Sequence, residues 1–181
     1  MRASVRRCVL PLVALVACSC VAACSPRRFY YAATHKIVGI PTEAMLPTIK
    51  AGDYAAVDMG YYEQHPVERF DMVVFTLPPE NVPDIAGVDK DTTYLKRIVG
   101  LGGETLEIKD GRVYVDGRAL EEPFETMPLE PLHKFGPLRI PEGEYFLLGD
   151  NRPNSEDSRY WPKHTLAKKN LLGKVIEIFS E

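Results

Sequence analysis

Apolar residues beyond about residue 50 are grouped in short stretches bounded by glycine or proline. This pattern, rich in β-branched and aromatic residues, predicts strands. The predicted strands are 53–59, 71–77, 93–101, 144–150 and 174–179. Only 165–172 fits a short helix, with Gly173 as its C-terminal cap. Many short strands and frequent turns favour a mainly β, antiparallel domain.

The clearest local pattern is a hairpin between Glu104 and Leu120. Apolar and polar residues alternate on both sides of Asp110-Gly111, a pair that is typical of a tight turn between two strands. We expect this hairpin to belong to a small subdomain of the β domain.

Residues 1–24 have the composition of an export signal, because three arginines precede the apolar run Val9–Ala23. The sequence "VAAC" at its end is similar to a lipoprotein cleavage box, with Cys24 as the lipidated residue. A retained transmembrane anchor is the alternative, since Cys8–Cys24 has 17 residues, the short limit for a span. Both interpretations place the domain outside the cytoplasm and attached to the membrane. We expect a tether at 25–36 and the β domain at 37–181.

All four cysteines lie in residues 1–24, so the domain has no thiol for a disulfide or a cysteine-based metal site. We expect neither a metal nor a cofactor. Beyond Cys24 the chain carries 25 acidic and 19 basic residues, a net charge of −6. This charge argues against a nucleic-acid partner.

Residues 39–53, "GIPTEAMLPTIKAGD", contain several conformationally restricted positions. Pro41 and Pro47 each disfavour the helical region for the preceding residue, so the sequence predicts an extended segment. In such a segment Thr42, Ala44 and Leu46 share one face.

Lys96 lies in "TYLKRIVGLGG", a stretch that otherwise reads as a buried strand. Its neighbours on the same face are Tyr94 and Ile98. Loss of solvation would lower the pKa of the amine and make it a general base near neutral pH. The alternative is a strand lysine whose amine reaches solvent along the surface.

Residues 149–162, "GDNRPNSEDSRYWP", contain more Asp, Asn, Arg and Ser than a turn requires. A plain polar loop is the alternative interpretation.

Together the three stretches resemble, in order, the sequence boxes of type I signal peptidases, and the resemblance runs from Gly39 to Gly173. This family has a coiled, barrel-like antiparallel β fold. It uses a Ser/Lys dyad to cleave signal peptides from exported preproteins after small residues at the last and third-last positions. The partners implied are signal peptides or other extended peptides, and the membrane; the location implied is its extracytoplasmic, periplasmic face. The departures are Pro153 for Asp, Pro162 for Gly and Gly102 for Pro.

The resemblance implies a role for each matching residue. Lys96 would be the general base, Ser155 would orient its amine, and Thr42 would help to hold the oxyanion. Asp157 and Arg159 would form an ion pair beneath the site. The other supporting residues implied are Asp150, Asn151 and Arg152.

Ala44 stands where the family has its nucleophilic serine, and a methyl group cannot attack a carbonyl. Removing such a nucleophile costs on the order of a million-fold in turnover. Three accounts stay open: an inactive protein that still binds peptides, a deliberate replacement, or another hydroxyl. Thr42 is about 6.5 to 7 Å away along an extended strand, too far for unchanged geometry. We expect a natural substitution, because the sequence starts at a methionine and carries no tag. A membrane-attached scaffolding lipoprotein is the rival function.

Overall fold

The computed structural model describes residues 26–82 and 92–180. The two α-helices of this part are α1 (Pro26–Thr34) and α2 (Tyr61–Gln64), and short 3-10 turns lie at Pro79–Asn81, Arg152–Asn154 and Lys168–Asn170. Its strands are β1 (Lys36–Gly39), β2 (Tyr54–Met59), β3 (Met72–Thr76), β4 (Thr93–Gly100), β5 (Thr105–Lys109), β6 (Arg112–Val115), β7 (Arg118–Ala119), β8 (Phe135–Arg139), β9 (Glu144–Leu148), β10 (Leu166–Ala167) and β11 (Leu171–Phe179).

The strands form two antiparallel sheets. The larger has seven strands in the order β1-β2-β11-β3-β4-β9-β10, and the smaller has four in the order β7-β6-β5-β8. The smaller sheet is built on the predicted hairpin, in which Leu106 pairs with Val115 and Ile108 with Val113. The mainly antiparallel β fold with a hairpin-containing subdomain is therefore confirmed.

Three apolar clusters form the core. One surrounds Phe75 and Trp161, and a second joins the smaller sheet to Phe146 and Leu148 of β9. The third lies beneath residues 40–49 and includes Met45, which is only 2% exposed. Strand β4 contributes to all three clusters, so its side chains are fixed on both faces of the sheet.

The predicted helix at 165–172 is wrong. The segment contains the edge strand β10 and the 3-10 turn Lys168–Asn170, and from Leu171 the chain pairs with β3 in the centre of the larger sheet, where Leu171 and Gly173 lie opposite Phe75 and Val74. Gly173 is not a helix cap. A Cβ atom there would lie 2.4 Å from the carbonyl oxygen of Asp58, so close strand packing requires the glycine. Long-range pairing has overridden a weak local helix signal.

The segment expected to be a tether contains α1 and the first residue of β1. The ring of Tyr31 lies 5.8 Å from that of Phe179, so the helix packs on the last strand. No helix in the described part of the chain is long and apolar enough to cross a bilayer. The expected export signal and Cys24 lie outside the described residues, as do residues 83–91.

Candidate active site

Residues 42–49 form a series of turns, so the predicted extended segment is wrong. The Leu46 N–H donates to the Glu43 carbonyl, and the Ile49 N–H donates to the Met45 carbonyl. The turned backbone places Met45 and Ile49 on one side, where both are buried in the third core cluster. Proline restricts its own φ and the conformation of the residue before it, so Pro47 does not extend the rest of the segment.

This turned segment, residues 42–49, is held by the polar stretch 149–162. The Asn151 N–H donates to the Ala44 carbonyl at 3.1 Å, and the Asn151 side-chain amide donates to the Glu43 carbonyl at 3.0 Å. Gly149 allows this close contact, because a Cβ atom there would lie 2.4 Å from the Ala44 oxygen and 2.2 Å from Ser155 Oγ. The Ala44 carbonyl and the Ser155 side chain therefore both pack against Gly149.

Lys96 is buried, with 5% of the residue exposed. Its strand β4 lies between β3 and β9, and Lys96 pairs with Val73. Burial lowers the pKa of the Lys96 amine, and the carboxylates of Asp157, Glu156 and Asp150 oppose this effect only in part. The amine donates one hydrogen bond of 3.2 Å, to the Leu95 carbonyl. Lys96 therefore does not reach solvent along the surface.

Ser155 is also buried and faces the same cleft as Lys96. The hydrogen bond implied between them is not formed in this structure: Ser155 Oγ has no partner among the described residues. An unpaired buried hydroxyl is costly, so this oxygen keeps an unused capacity for a hydrogen bond.

Ala44 and Lys96 line one cleft of about 460 Å³, together with Ser155 and Thr42. An adjoining groove of about 250 Å³ shares Thr42 and Lys96. The groove is mainly apolar. Its other lining residues are Val38, Gly39, Ile40, Pro41, Met45, Val74, Thr92, Thr93, Tyr94 and Leu95.

Two buried ion pairs support this region. Arg159 binds both oxygens of Asp157 at 2.7 and 2.8 Å, and the same carboxylate accepts the Gly149 N–H. Arg97 binds both oxygens of Asp150 at 2.9 and 2.6 Å. Breaking such a pair leaves an uncompensated buried charge, which costs about 3 to 5 kcal/mol. The pair between Asp157 and Arg159 that the resemblance implies is present.

Several supporting residues were missed from the sequence. Thr48 donates to Asp150, and the ring of Phe124 lies 3.9 Å from the Arg97 guanidinium carbon. Glu122 forms an ion pair with Arg152. Thr48 lies in the first sequence box and could have been found there, but Glu122 and Phe124 carry no local signal.

The cleft can supply a base but no nucleophile at position 44. Lys96 is a buried amine with a lowered pKa, and Ala44 ends in a methyl group. In residues 26–82 and 92–180, no cluster of three or more His, Cys, Asp or Glu side chains could hold a metal ion. The chemistry available from the described side chains is that of a general base beside two hydroxyl groups.

Comparison with known proteins identifies the class to which this fold and cleft belong. The family model for signal peptidase, peptidase S26, matches residues 9–180. The chain therefore belongs to the signal peptidase family, peptidase S26.

The chain is similar to "Probable signal peptidase I-1" of Synechocystis sp., with 37% identity over 76% of this chain and 67% of that protein. "Signal peptidase I" of Leptolyngbya laminosa is 34% identical over 77% of this chain and 66% of its own length. A crystal structure of a signal peptidase I from Enterococcus faecalis has a TM-score of 0.46 and 31% identity, covering 62% of this chain and 98% of that chain. The chain spans about two thirds of the length of these two curated relatives.

Proposed function

We propose that this protein is a membrane-attached, signal-peptidase-like protein that binds signal peptides of exported preproteins but, with Ala44, does not cleave them. One observation carries the proposal: the buried residue Lys96 lines the same cleft as Ala44. A buried lysine amine costs stability, and a buried amine beside a peptide-sized cleft is the feature of a general base. The arrangement is that of a Ser/Lys protease from which one hydroxyl is missing.

In a site with serine at position 44, the serine hydroxyl would be the nucleophile, and Ala44 lacks this group. A serine hydroxyl at this position would give its proton to the neutral Lys96 amine and attack the scissile carbonyl. The backbone N–H of residue 44 and the Thr42 hydroxyl would hold the oxyanion. Ser155 would orient the amine. Without the hydroxyl the first bond cannot form, but the cleft and the groove that would bind the peptide are present.

The apolar groove supports recognition of small side chains. Its lining is mainly apolar, and Ile40, Met45 and Val74 at its wall are buried in the third core cluster. A close-packed wall does not yield readily to a larger side chain. We therefore infer that the groove accepts small residues near the cleavage position of a signal peptide.

Binding can be tested with the chain as it stands. A dye-labelled signal peptide with Ala at its last and third-last positions should bind saturably by fluorescence anisotropy, and the same peptide with Trp at both positions should not. Val38→Trp, which fills the groove, should abolish binding. Met59→Trp, an exposed position outside the groove, is the matched control. Equal binding by both peptides, or none by either, would favour the scaffolding lipoprotein.

Membrane attachment rests on the sequence of residues 1–24. We infer that "VAAC" is processed and that Cys24 becomes a lipidated N-terminus, on the extracytoplasmic face. Lipid chains stabilise attachment in proportion to the CH₂ groups they bury. Mass spectrometry of the membrane fraction should find lipid on Cys24. An intact segment from Arg2 to Ala23 would show instead that the chain keeps an anchor.

A further inference from the structure

Asn151 holds two consecutive carbonyl groups of the turned segment. Its side-chain amide donates to Glu43 O at 3.0 Å, and its backbone N–H donates to Ala44 O at 3.1 Å. Asn151 is itself only 5% exposed. One buried residue therefore fixes the peptide groups on both sides of Ala44.

This double contact determines the direction of two atoms in the proposed reaction. The peptide group of the Glu43 carbonyl also contains the Ala44 N–H, because the two atoms share one planar unit. Fixing that plane aims the N–H that would hold the oxyanion. Fixing the next plane as well limits rotation about both backbone bonds of Ala44, and so sets the direction of its side chain.

The contact also affects the strength of the N–H donor. Glu43 O accepts a second hydrogen bond, from the Leu46 N–H at 3.1 Å. Hydrogen bonds accepted by a peptide carbonyl polarise the whole peptide group, which makes its N–H a stronger donor in a low-dielectric site. The amide of Asn151 therefore acts on the oxyanion donor without touching the substrate.

Asn151 is itself held rigidly. The Asn154 N–H donates to its carbonyl at 3.0 Å in the 3-10 turn Arg152–Asn154. On the other side, the carboxylate of Asp150 is bound by Arg97. A group that positions another must have its own conformation locked, and these contacts provide that.

We propose that Asn151 is the positioning residue for the oxyanion donor and for the side chain of residue 44. The expected effect on kcat rests on the proposed function. The expected effect on the peptide groups around Ala44 can be measured in the chain as it stands.

The kinetic test uses the full chain with Ala44→Ser. Adding Asn151→Ala should lower kcat about tenfold to a hundredfold, the cost of a small misplacement at a reacting group, with KM unchanged. Asn151→Asp is nearly isosteric and keeps the backbone bond to Ala44 O, so it tests the same side-chain contact if the alanine variant does not fold. It should lower kcat similarly.

Asn81→Ala is the matched control. Asn81 is also buried and donates its amide to a backbone carbonyl, that of Thr165, but it lies outside the cleft and the groove. It should lower the melting temperature and leave kcat unchanged. A purely structural Asn151 would behave in the same way.

The second readout is NMR of the chain with Ala44 in place. Loss of the Asn151 amide should move the Glu43 carbonyl ¹³C and the Ala44 amide proton upfield, and Asn81→Ala should move neither. Unmoved resonances, or an Asn151 variant that loses thermal stability but keeps the full kcat, would overturn the proposal. If Ala44→Ser proves inactive, peptide binding by the chain as it stands still tests the proposed function, and the resonances decide the role of Asn151.

Discussion

Ala44→Ser should convert a chain with no measurable signal-peptide cleavage into one that cleaves. The physical reason is that the general base is already in place: Lys96 is buried, its pKa is lowered by desolvation, and it lines the same cleft as residue 44. Loss of the nucleophile alone costs on the order of a million-fold in serine proteases. We expect partial recovery of that factor, because Pro153 and Gly102 differ from the family pattern and a shift of about 1 Å can cost a hundredfold.

The measurement is cleavage of a signal peptide with Ala at its last and third-last positions, followed by mass spectrometry of the products. Ala51→Ser is the matched control, since it adds the same hydroxyl to an exposed alanine in the same region. Cleavage by the unmodified chain that disappears in Thr42→Ala would show that the nucleophile is misassigned to position 44. A folded but inactive Ala44→Ser would leave peptide binding or scaffolding as the better account.

The strands were predictable where their signal is local. The hairpin at 104–120 follows from alternation and the Asp110-Gly111 turn, and both can be read without knowing what packs against them. The start of β11 could not be read in this way. Residues 171–173 become a strand only because β3, about 100 residues earlier, provides their pairing partners.

The candidate site was predictable to a similar extent. The burial of Lys96 follows from Tyr94 and Ile98 on its own face of the strand. The shape of residues 42–49 does not follow from the prolines, because the burial of Met45 and Ile49 in the core decides it. The hydrogen bond from Ser155 to Lys96 was implied only by resemblance, and the Lys96 amine donates to the Leu95 carbonyl instead.

The supporting contacts are concentrated on the segment that carries Ala44. Asp157 holds the Gly149 N–H, Gly149 makes room for the Ala44 carbonyl, and Asn151 binds that carbonyl. A single added oxygen at residue 44 would therefore enter a framework that is already rigid. This is why the recovery of activity should depend more on residue 44 than on the surrounding polar stretch.

Lys96→Met should have opposite effects on activity and on stability. In the Ala44→Ser chain it removes the general base, and cleavage should fall by about a thousandfold or more. The same change replaces a buried amine, which among the described residues binds only the Leu95 carbonyl, at 3.2 Å, by an apolar side chain of similar length. Removing an imperfectly satisfied buried polar group should raise the free energy of unfolding by about 1 to 3 kcal/mol. Lys36→Met, at an exposed strand position, should change neither quantity appreciably.

The lowered pKa of Lys96 determines how the cleavage rate and the free energy of unfolding change with pH. Cleavage by Ala44→Ser needs the neutral amine, so the rate should rise with pH and level off above the lowered pKa of Lys96. The pKa of Lys96 is lower in the folded chain than in the unfolded chain, where it has the ordinary lysine value of 10.5. The unfolded chain therefore binds more protons between these two pKa values, and the free energy of unfolding rises with pH in that range. The stabilisation by Lys96→Met should therefore be largest in acid and shrink as the pH approaches 10.5. Thermal unfolding from pH 5 to pH 10 measures it, and a gain that grows with pH would show that Lys96 is not a desolvated base.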